Sequence, residues 1–317
     1  MLKRLLRRFA AAIASRVSVS TGAFDEERLL LAIGALHARL VRALPDRAPL
    51  ATAEFKVFSQ WGEDGILQYL THKVEIHHRA FVEFGVQNYR ESNTRFLLQN
   101  DGWSGLVMDG SPDYIETIKA ERAAWRHDLT ALAAFVTAEN INDLIGHHVR
   151  GPDIGVLSID VDGNDYWVWK AIDVVSPRIV VCEYNSLFGS SLAVTVPYDP
   201  AFNRTRAHHS NLYWGASLAA LCRLAGEKRY VFVGSNSAGN NAFFVRRDLA
   251  GRLAALQPEE GYVESRFRES RDAAGVLTYL AGDARLKPIA DLELFDLDSG
   301  RTRPVHELFA ARLAALR

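Results

Sequence analysis

The chain has 317 residues, with 37 basic against 38 acidic side chains and 48% hydrophobic residues. That length buries an ample core without covalent staples, and the composition excludes disorder, collagen and a coiled-coil rod as descriptions of the whole chain. A net charge of −1 provides no global basic field, so no nucleic-acid partner is expected, and the two cysteines, Cys182 and Cys222, sit in apolar stretches that make no disulfide framework. A reducing, cytoplasmic location is the expectation.

Residues 1–24 depart from this neutral average, carrying Lys3, Arg4, Arg7, Arg8 and Arg16 and no acid. Read as a helix, Leu2, Leu5, Leu6, Phe9, Ile13 and Val17 share one face, the pattern of a helix lying in an anionic lipid surface. The run is too short to span a bilayer, which needs about 20 apolar residues. Arg16 and the lack of a small-residue cleavage site weigh against an export signal. Peripheral contact with the inner membrane face through residues 1–17 is therefore expected beside the plainer reading of a packing helix. A second helix is predicted over Asp25–Leu44, closed by Pro45, with Leu29, Ile33, Leu36, Leu40 and Ala43 recurring at alternating steps of four and three. Two heptads do not establish a coiled coil: the stripe either pairs with a second copy, making a homodimer, or covers one face of the next domain, the commoner outcome.

From Ala53 the pattern alternates between strand and helix. Strands are predicted at Ala80–Gly85, Gly105–Asp109, Leu129–Val136, Val156–Asp160 and Ile179–Glu183. Helices are predicted at Ser92–Leu98 with Ser92 as N-cap, at Tyr114–Trp125, from a Thr137 cap to about Ile145, and at Gly215–Leu224. Apolar runs without alternation, separated by helices, indicate parallel strands buried on both faces, hence a doubly wound α/β sheet. Tyr230–Gly234 and Ala242–Arg246, around a Gly239-Asn240-Asn241 turn, read as an antiparallel hairpin at the sheet edge. The tail from Gly251 carries a helix, a hairpin around Asp298-Ser299-Gly300 and a terminal helix at Val305–Leu316. Three units are expected: N-terminal helices over 1–50, a main domain over 51–250 and a C-terminal α+β extension over 251–317 packed on it.

In such sheets ligands bind beyond the carboxyl ends of the strands, and these ends are strongly polar here. Gly85 lets backbone approach a ligand, and the next helix start attracts an anionic group. Asp109, 24 residues on, ends the second strand where it can accept hydrogen bonds from ribose hydroxyls, so a nucleoside-containing cofactor is expected. The fingerprint G-x-G-x-x-G is absent, since Val86, Gln87, Asn88 and Tyr89 occupy the places of further glycines. That argues against a pyrophosphate and for a cofactor ending in an amino-acid carboxylate.

Ser59-Gln60-Trp61-Gly62-Glu63-Asp64, FVEFGVQN, ESNTRFLL, GWSGLVMDG, FVTAENIN, LSIDVDGNDYWVW, VVCEYN, VPYDP, YWGASL and GNNAFFV together resemble the FkbM-like family of class I S-adenosylmethionine-dependent methyltransferases, in the bacterial branch associated with polysaccharide and lipopolysaccharide genes. The resemblance covers about residues 55–248. It implies a seven-stranded Rossmann-like sheet, S-adenosylmethionine as methyl donor and a glycan or glycolipid hydroxyl as acceptor. By the same resemblance Glu83 and Gly85 form the cofactor turn, Asp109 holds the ribose, and Gln60, Glu63 and Asp64 close over the site, with Gly110 and Thr137 completing the cofactor set.

Asp160, Asp162 and Glu183 are expected to converge at neighbouring strand ends. Their mutual repulsion would be relieved by a divalent cation, and oxygen-only ligands suit Mg²⁺ or Ca²⁺. The alternative is that Asp162 caps a helix while Asp160 acts alone as base. Methyl transfer to an alcohol needs a base, and His208 and His209, in the loop before Tyr213, are candidates with Asp160. Asn164, Tyr166, Tyr184 and Asn185 are the candidate acceptor-binding residues. Two other classes stay open from sequence: an NAD-dependent sugar-modifying oxidoreductase or epimerase, and a non-catalytic interaction module.

Overall fold

Short apolar runs flanked by glycine and acids become strands buried on both faces, and these build the centre of the molecule. The structure, a computed structural model, describes residues 26–316. The basic amphipathic helix expected over residues 1–17 lies outside them.

The first helix, α1, covers 26–42 and ends before Pro45. It packs through small residues: Gly34 sits so close to Val57 and Phe96 that an added Cβ would come within 2.5 Å of the first and 2.8 Å of the second, and Ala38 and Val41 are buried beside it. The stripe of Leu29, Ile33, Leu36 and Leu40 points the other way and is exposed. The expectation that the stripe covers the domain is thus corrected, because a helix turns only its close-packing face to a neighbour and here that face is the one with Gly34 and Ala38.

Strands β1 (Ala80–Phe84), β2 (Ser104–Asp109), β3 (Leu129–Ala133), β4 (Val156–Ile159) and β5 (Ile179–Glu183) follow the predicted runs closely. A two-residue strand β6 (Val194–Thr195) comes next, then β7 (Tyr230–Ser235) and β8 (Asn241–Arg246), and last β9 (Glu293–Asp296) and β10 (Arg301–Pro304). The main sheet has seven strands in the order β3-β2-β1-β4-β5-β8-β7. Pairs from β3 through β5 are parallel, whereas β8 runs antiparallel to both β5 and β7. This is the seven-stranded α/β arrangement with an antiparallel edge hairpin that the sequence led us to expect. The strand order reverses between β1 and β4, which makes their carboxyl ends the topological switch point.

Helices α2 (Glu63–Lys73), α3 (Arg95–Asp101), α4 (Pro112–Ala120), α5 (Arg122–Arg126), α6 (Ile141–His148), α7 (Asp165–Ala171), α8 (Arg204–Ala207) and α9 (Leu218–Glu227) connect the strands. Helix bounds differ from expectation in several places. α3 begins after Thr94 rather than Ser92, because the Ser92 hydroxyl donates to the Glu83 carboxylate instead of capping. α6 begins after Asn140, whose side-chain oxygen accepts the Thr137 N–H. α4 and α5 are separate because Glu121 is extended (ψ 152°). Ser217 caps α9 by accepting the Ala220 N–H.

One apolar layer lies on each face of the sheet. A third, around Leu187, Phe188, Val194, Leu286, Ile289 and Phe309, joins the C-terminal extension to the loop after β5. There β6, β9 and β10 form a small antiparallel sheet. A two-residue strand carries no periodicity, so nothing in the sequence announced it.

Candidate active site at the switch point of the sheet

The carboxyl ends of β1, β2, β3 and β4 open into a cleft of about 490 Å³, walled on the far side by α8 and a segment around Glu269. Of the residues singled out from sequence, Gly85, Asp109, Gly110, Asp160, Asp162 and Asn164 line it. Gln87, Tyr114, Phe135, Phe202, Arg204 and Glu269 also line it and were not foreseen.

Gly85 has φ +79°, and a Cβ there would lie 1.5 Å from the Asp160 carbonyl oxygen. Close backbone approach is required, as the sequence suggested, but to β4 rather than only to a ligand. Just beyond it the chain turns through Gln87 at φ 47° and Tyr89 at φ 61°. The turn is pinned by Asp109, which accepts the Gln87 N–H at 2.7 Å with one carboxylate oxygen and the Ser111 N–H at 2.8 Å with the other. Asp109 is thereby held at the wall of a cleft that the exposed rings of Tyr114 and Phe135 also line.

The anion expected at the next helix start turns out to be the protein's own. Glu83 is buried and accepts the Asn93 and Thr94 N–H groups and the Ser92 and Thr94 hydroxyls. Burial still holds its carboxyl above the usual range despite these donors. Glu83 therefore stabilises the start of α3 and does not line the cleft, and a ligand pyrophosphate has no open helix terminus there.

Gln60, Glu63 and Asp64 do not reach the cleft either. Glu63 accepts N–H bonds from Trp61 and Gly62 and from the side chains of Asn236 and Asn241, tying α2 to the β7–β8 turn. Asp64 accepts the N–H groups of Val57, Phe58 and Ser59 at 2.7, 2.7 and 2.9 Å. Burial pushes its carboxyl up to about 6. These acids shape the loop preceding α2. We expect Asp64→Ala to lower stability by about 2–4 kcal/mol, since it strands several buried donors at once; a urea midpoint equal to that of the parent would contradict this.

Six further candidates lie outside the cleft lining. Tyr166 lies in the core. Tyr184 is buried and donates to the Val263 carbonyl. Asn185 spends its amide on the Leu212 and Trp214 carbonyls. Thr137 lies next to the cleft residue Val136, but its N–H is taken by Asn140. His208 and His209 lie outside the cleft lining, where they pack ring to ring at 4.0 Å and His208 bonds Ser210. Burial, together with His209, lowers the His208 pKa.

The acids do converge. One carboxylate oxygen each from Asp160, Asp162 and Glu183 lies within 4.8 Å of the others. Asp160 and Glu183 both have pKa values raised well above the carboxylate range, first by burial and then by the neighbouring acids. A proton on one of the two would relieve that repulsion. Asp165, at the start of α7, accepts the Val161 and Gly163 N–H groups and fixes the loop carrying Asp162, which has φ 56°. Arg204 supplies the counter-charge, donating to Asp162 at 3.0 Å and pairing with Glu269 beside it at 3.9 Å. Its guanidinium also stacks on the Trp214 ring at 4.7 Å.

Two buried oxygens at this place have no hydrogen-bond partner, Glu183 Oε2 and Asn164 Oδ1. Glu183 is 6% exposed and Asn164 4%. Orphaned buried acceptors are costly unless a proton, a ligand hydroxyl or a cation meets them. A donor set of three carboxylates with an orphaned oxygen fits a hard divalent cation such as Mg²⁺.

No protein-family model and no curated protein sequence matches the chain. Solved structures resemble it over about half its length. An O-methyltransferase from Bacillus cereus bound to SAH is 17% identical, covering 52% of this chain and 72% of its own, with a TM-score of 0.33. The geranyl diphosphate C-methyltransferase from Streptomyces coelicolor, solved with Mg²⁺, geranyl diphosphate and S-adenosyl-L-homocysteine, is 9% identical, covering 52% of this chain and 60% of its own, with a TM-score of 0.33. PKMT2 from Rickettsia typhi in complex with AdoHcy is 10% identical, covering 56% and 50% respectively, with a TM-score of 0.35.

Proposed function

We propose that the chain is an S-adenosylmethionine-dependent O-methyltransferase whose acceptor is a sugar hydroxyl of a surface polysaccharide, lipopolysaccharide or glycolipid precursor. The observation that carries this reading is the presence, in one cleft lined also by Tyr114 and Phe135, of Asp109 at the end of β2 and of Asp160 at the end of β4, with buried Glu183 close behind Asp160.

In this reading Asp109 accepts bonds from the ribose hydroxyls, while Tyr114 and Phe135 offer flat apolar surface to the adenine. The donor, when bound, supplies a sulfonium methyl whose loss leaves a neutral thioether. Asp160, in its ionised form, takes the proton of the acceptor hydroxyl as that oxygen bonds to the methyl carbon. Glu183 holds the proton of the pair and sets the basicity of Asp160, and Asn164 Oδ1 is free to accept a bond from a second acceptor hydroxyl. In place of that proton, a divalent cation held by Asp160, Asp162 and Glu183 would lower the acceptor hydroxyl's pKa and orient it.

The direct test is to incubate the protein with labelled S-adenosylmethionine and the cell's surface-polysaccharide intermediates. Label in the glycan fraction, released as an O-methyl sugar, supports the reading; label in protein alone, or none anywhere, overturns it. We further expect Asp109→Ala to weaken SAH binding about 10- to 100-fold, or about 1.4–2.8 kcal/mol, by calorimetry. Unchanged affinity would remove the ribose role.

A further inference from the structure

α1 carries two apolar faces, and among the described residues only one is covered. Leu29, Ile33, Leu36 and Leu40 are 61%, 44%, 59% and 68% exposed, on a helix whose opposite face is buried against Val57 and Phe96. Leucines scattered singly on a surface need no partner, but four in line do. Their steps of four, three and four are those of a coiled-coil seam.

From this we infer that α1 pairs in antiparallel fashion with α1 of a second copy, making the protein a homodimer. The stripe reads the same in both directions about its midpoint between Gly34 and Ala35. An antiparallel two-fold pair therefore seats Leu29 against Leu40 of the second copy and Ile33 against Leu36, each contact occurring twice. Charge favours this direction. Glu26 lies on the same seam one turn before Leu29, and it is exposed, as is Arg39 near the other end. Antiparallel pairing brings Glu26 toward the Arg39 end of the second copy, whereas parallel pairing stacks Glu26 on Glu26. The inner face, with Gly34 and Ala38, remains on its own domain, so pairing requires no rearrangement of the fold.

Sedimentation of the full-length chain at about 10 µM should give a dimer. Ile33→Asp with Leu36→Asp should give a monomer that binds SAH as the parent does. Direction is read by oxidation: Ile33→Cys mixed with Leu36→Cys should cross-link, while either variant alone should cross-link at least tenfold less. Self-cross-linking of Ile33→Cys would overturn the antiparallel geometry. A monomeric parent chain would overturn the dimer, whether the stripe then proves to be covered by residues 1–24 of the same chain, shown by new labelling of Leu36→Cys on truncation, or to bind anionic vesicles. A dimer that survives the double aspartate substitution would overturn it equally.

Discussion

Asp160→Asn should lower methyl transfer about 100- to 10,000-fold while leaving SAH affinity within about twofold, because the change removes the proton acceptor without touching the Asp109 wall. Steady-state kinetics and calorimetry on the same preparation check this, and near-parent turnover would exclude Asp160 as the base. The pH profile follows from the same pair. Burial and the neighbouring acids raise the pKa values of Asp160 and Glu183, and a base must be unprotonated. The rate should thus climb with pH through an apparent pKa above the ordinary carboxylate range, a property of the pair rather than of either residue. Stability moves in the opposite sense. The folded pair keeps protons that the unfolded chain releases near pH 4, so its contribution is complete below that pH and is lost as pH rises through the raised values. Glu183→Gln, which cannot ionise, should consequently melt at a higher temperature than the parent at pH 8, with the gap closing toward pH 4. A gap that widens on acidification would contradict the assignment.

Gly85→Ala should be among the most damaging single changes in the chain. The added Cβ would lie 1.5 Å from the Asp160 carbonyl oxygen, a backbone atom of the neighbouring strand that cannot swing aside, on a residue at φ +79°. The ends of β1 and β4 would have to separate, at a cost of about 3 kcal/mol or more. We expect largely insoluble protein and, in whatever fraction folds, at least tenfold weaker SAH binding, since Asp109 is attached to this turn through Gln87. Gly102 at φ +67° has nothing within 4 Å of its added Cβ, so Gly102→Ala tests conformation without collision and should cost far less. Equal stability of the two variants would refute the close-approach explanation.

The sheet was legible because its strands are continuous apolar runs that end in polar residues: β1, β2, β4 and β5 fall within a residue or so of their predicted bounds. The acid trio was legible for the same reason, since strand ends in a parallel sheet must share one edge. Side-chain direction was not legible. Glu83 and Asp109 end neighbouring strands with similar sequence character, yet Glu83 turns inward onto the start of α3 while Asp109 lines the cleft. Glu63, Asp64, Tyr184 and Asn185 stand near polar strand ends or motifs, but they bond to backbone donors and acceptors that only the folded chain brings near. Arg204 and Glu269 are 65 positions apart in segments without a periodic pattern of their own, separated by α9 and the β7–β8 hairpin, and only the folded chain brings them to one wall of the cleft. The stripe on α1 was visible as a spacing, but the choice between core and surface rested on Gly34 and Ala38 on the other face.

The most direct measurement is calorimetric titration of the full chain with S-adenosylhomocysteine and, separately, with NAD⁺. A single SAH site per chain that Asp109→Ala weakens, with no heat from NAD⁺, is the expected result. Heat from NAD⁺ with silence toward SAH, or silence toward both, would contradict a methyl-donor site at the ends of β1, β2 and β4.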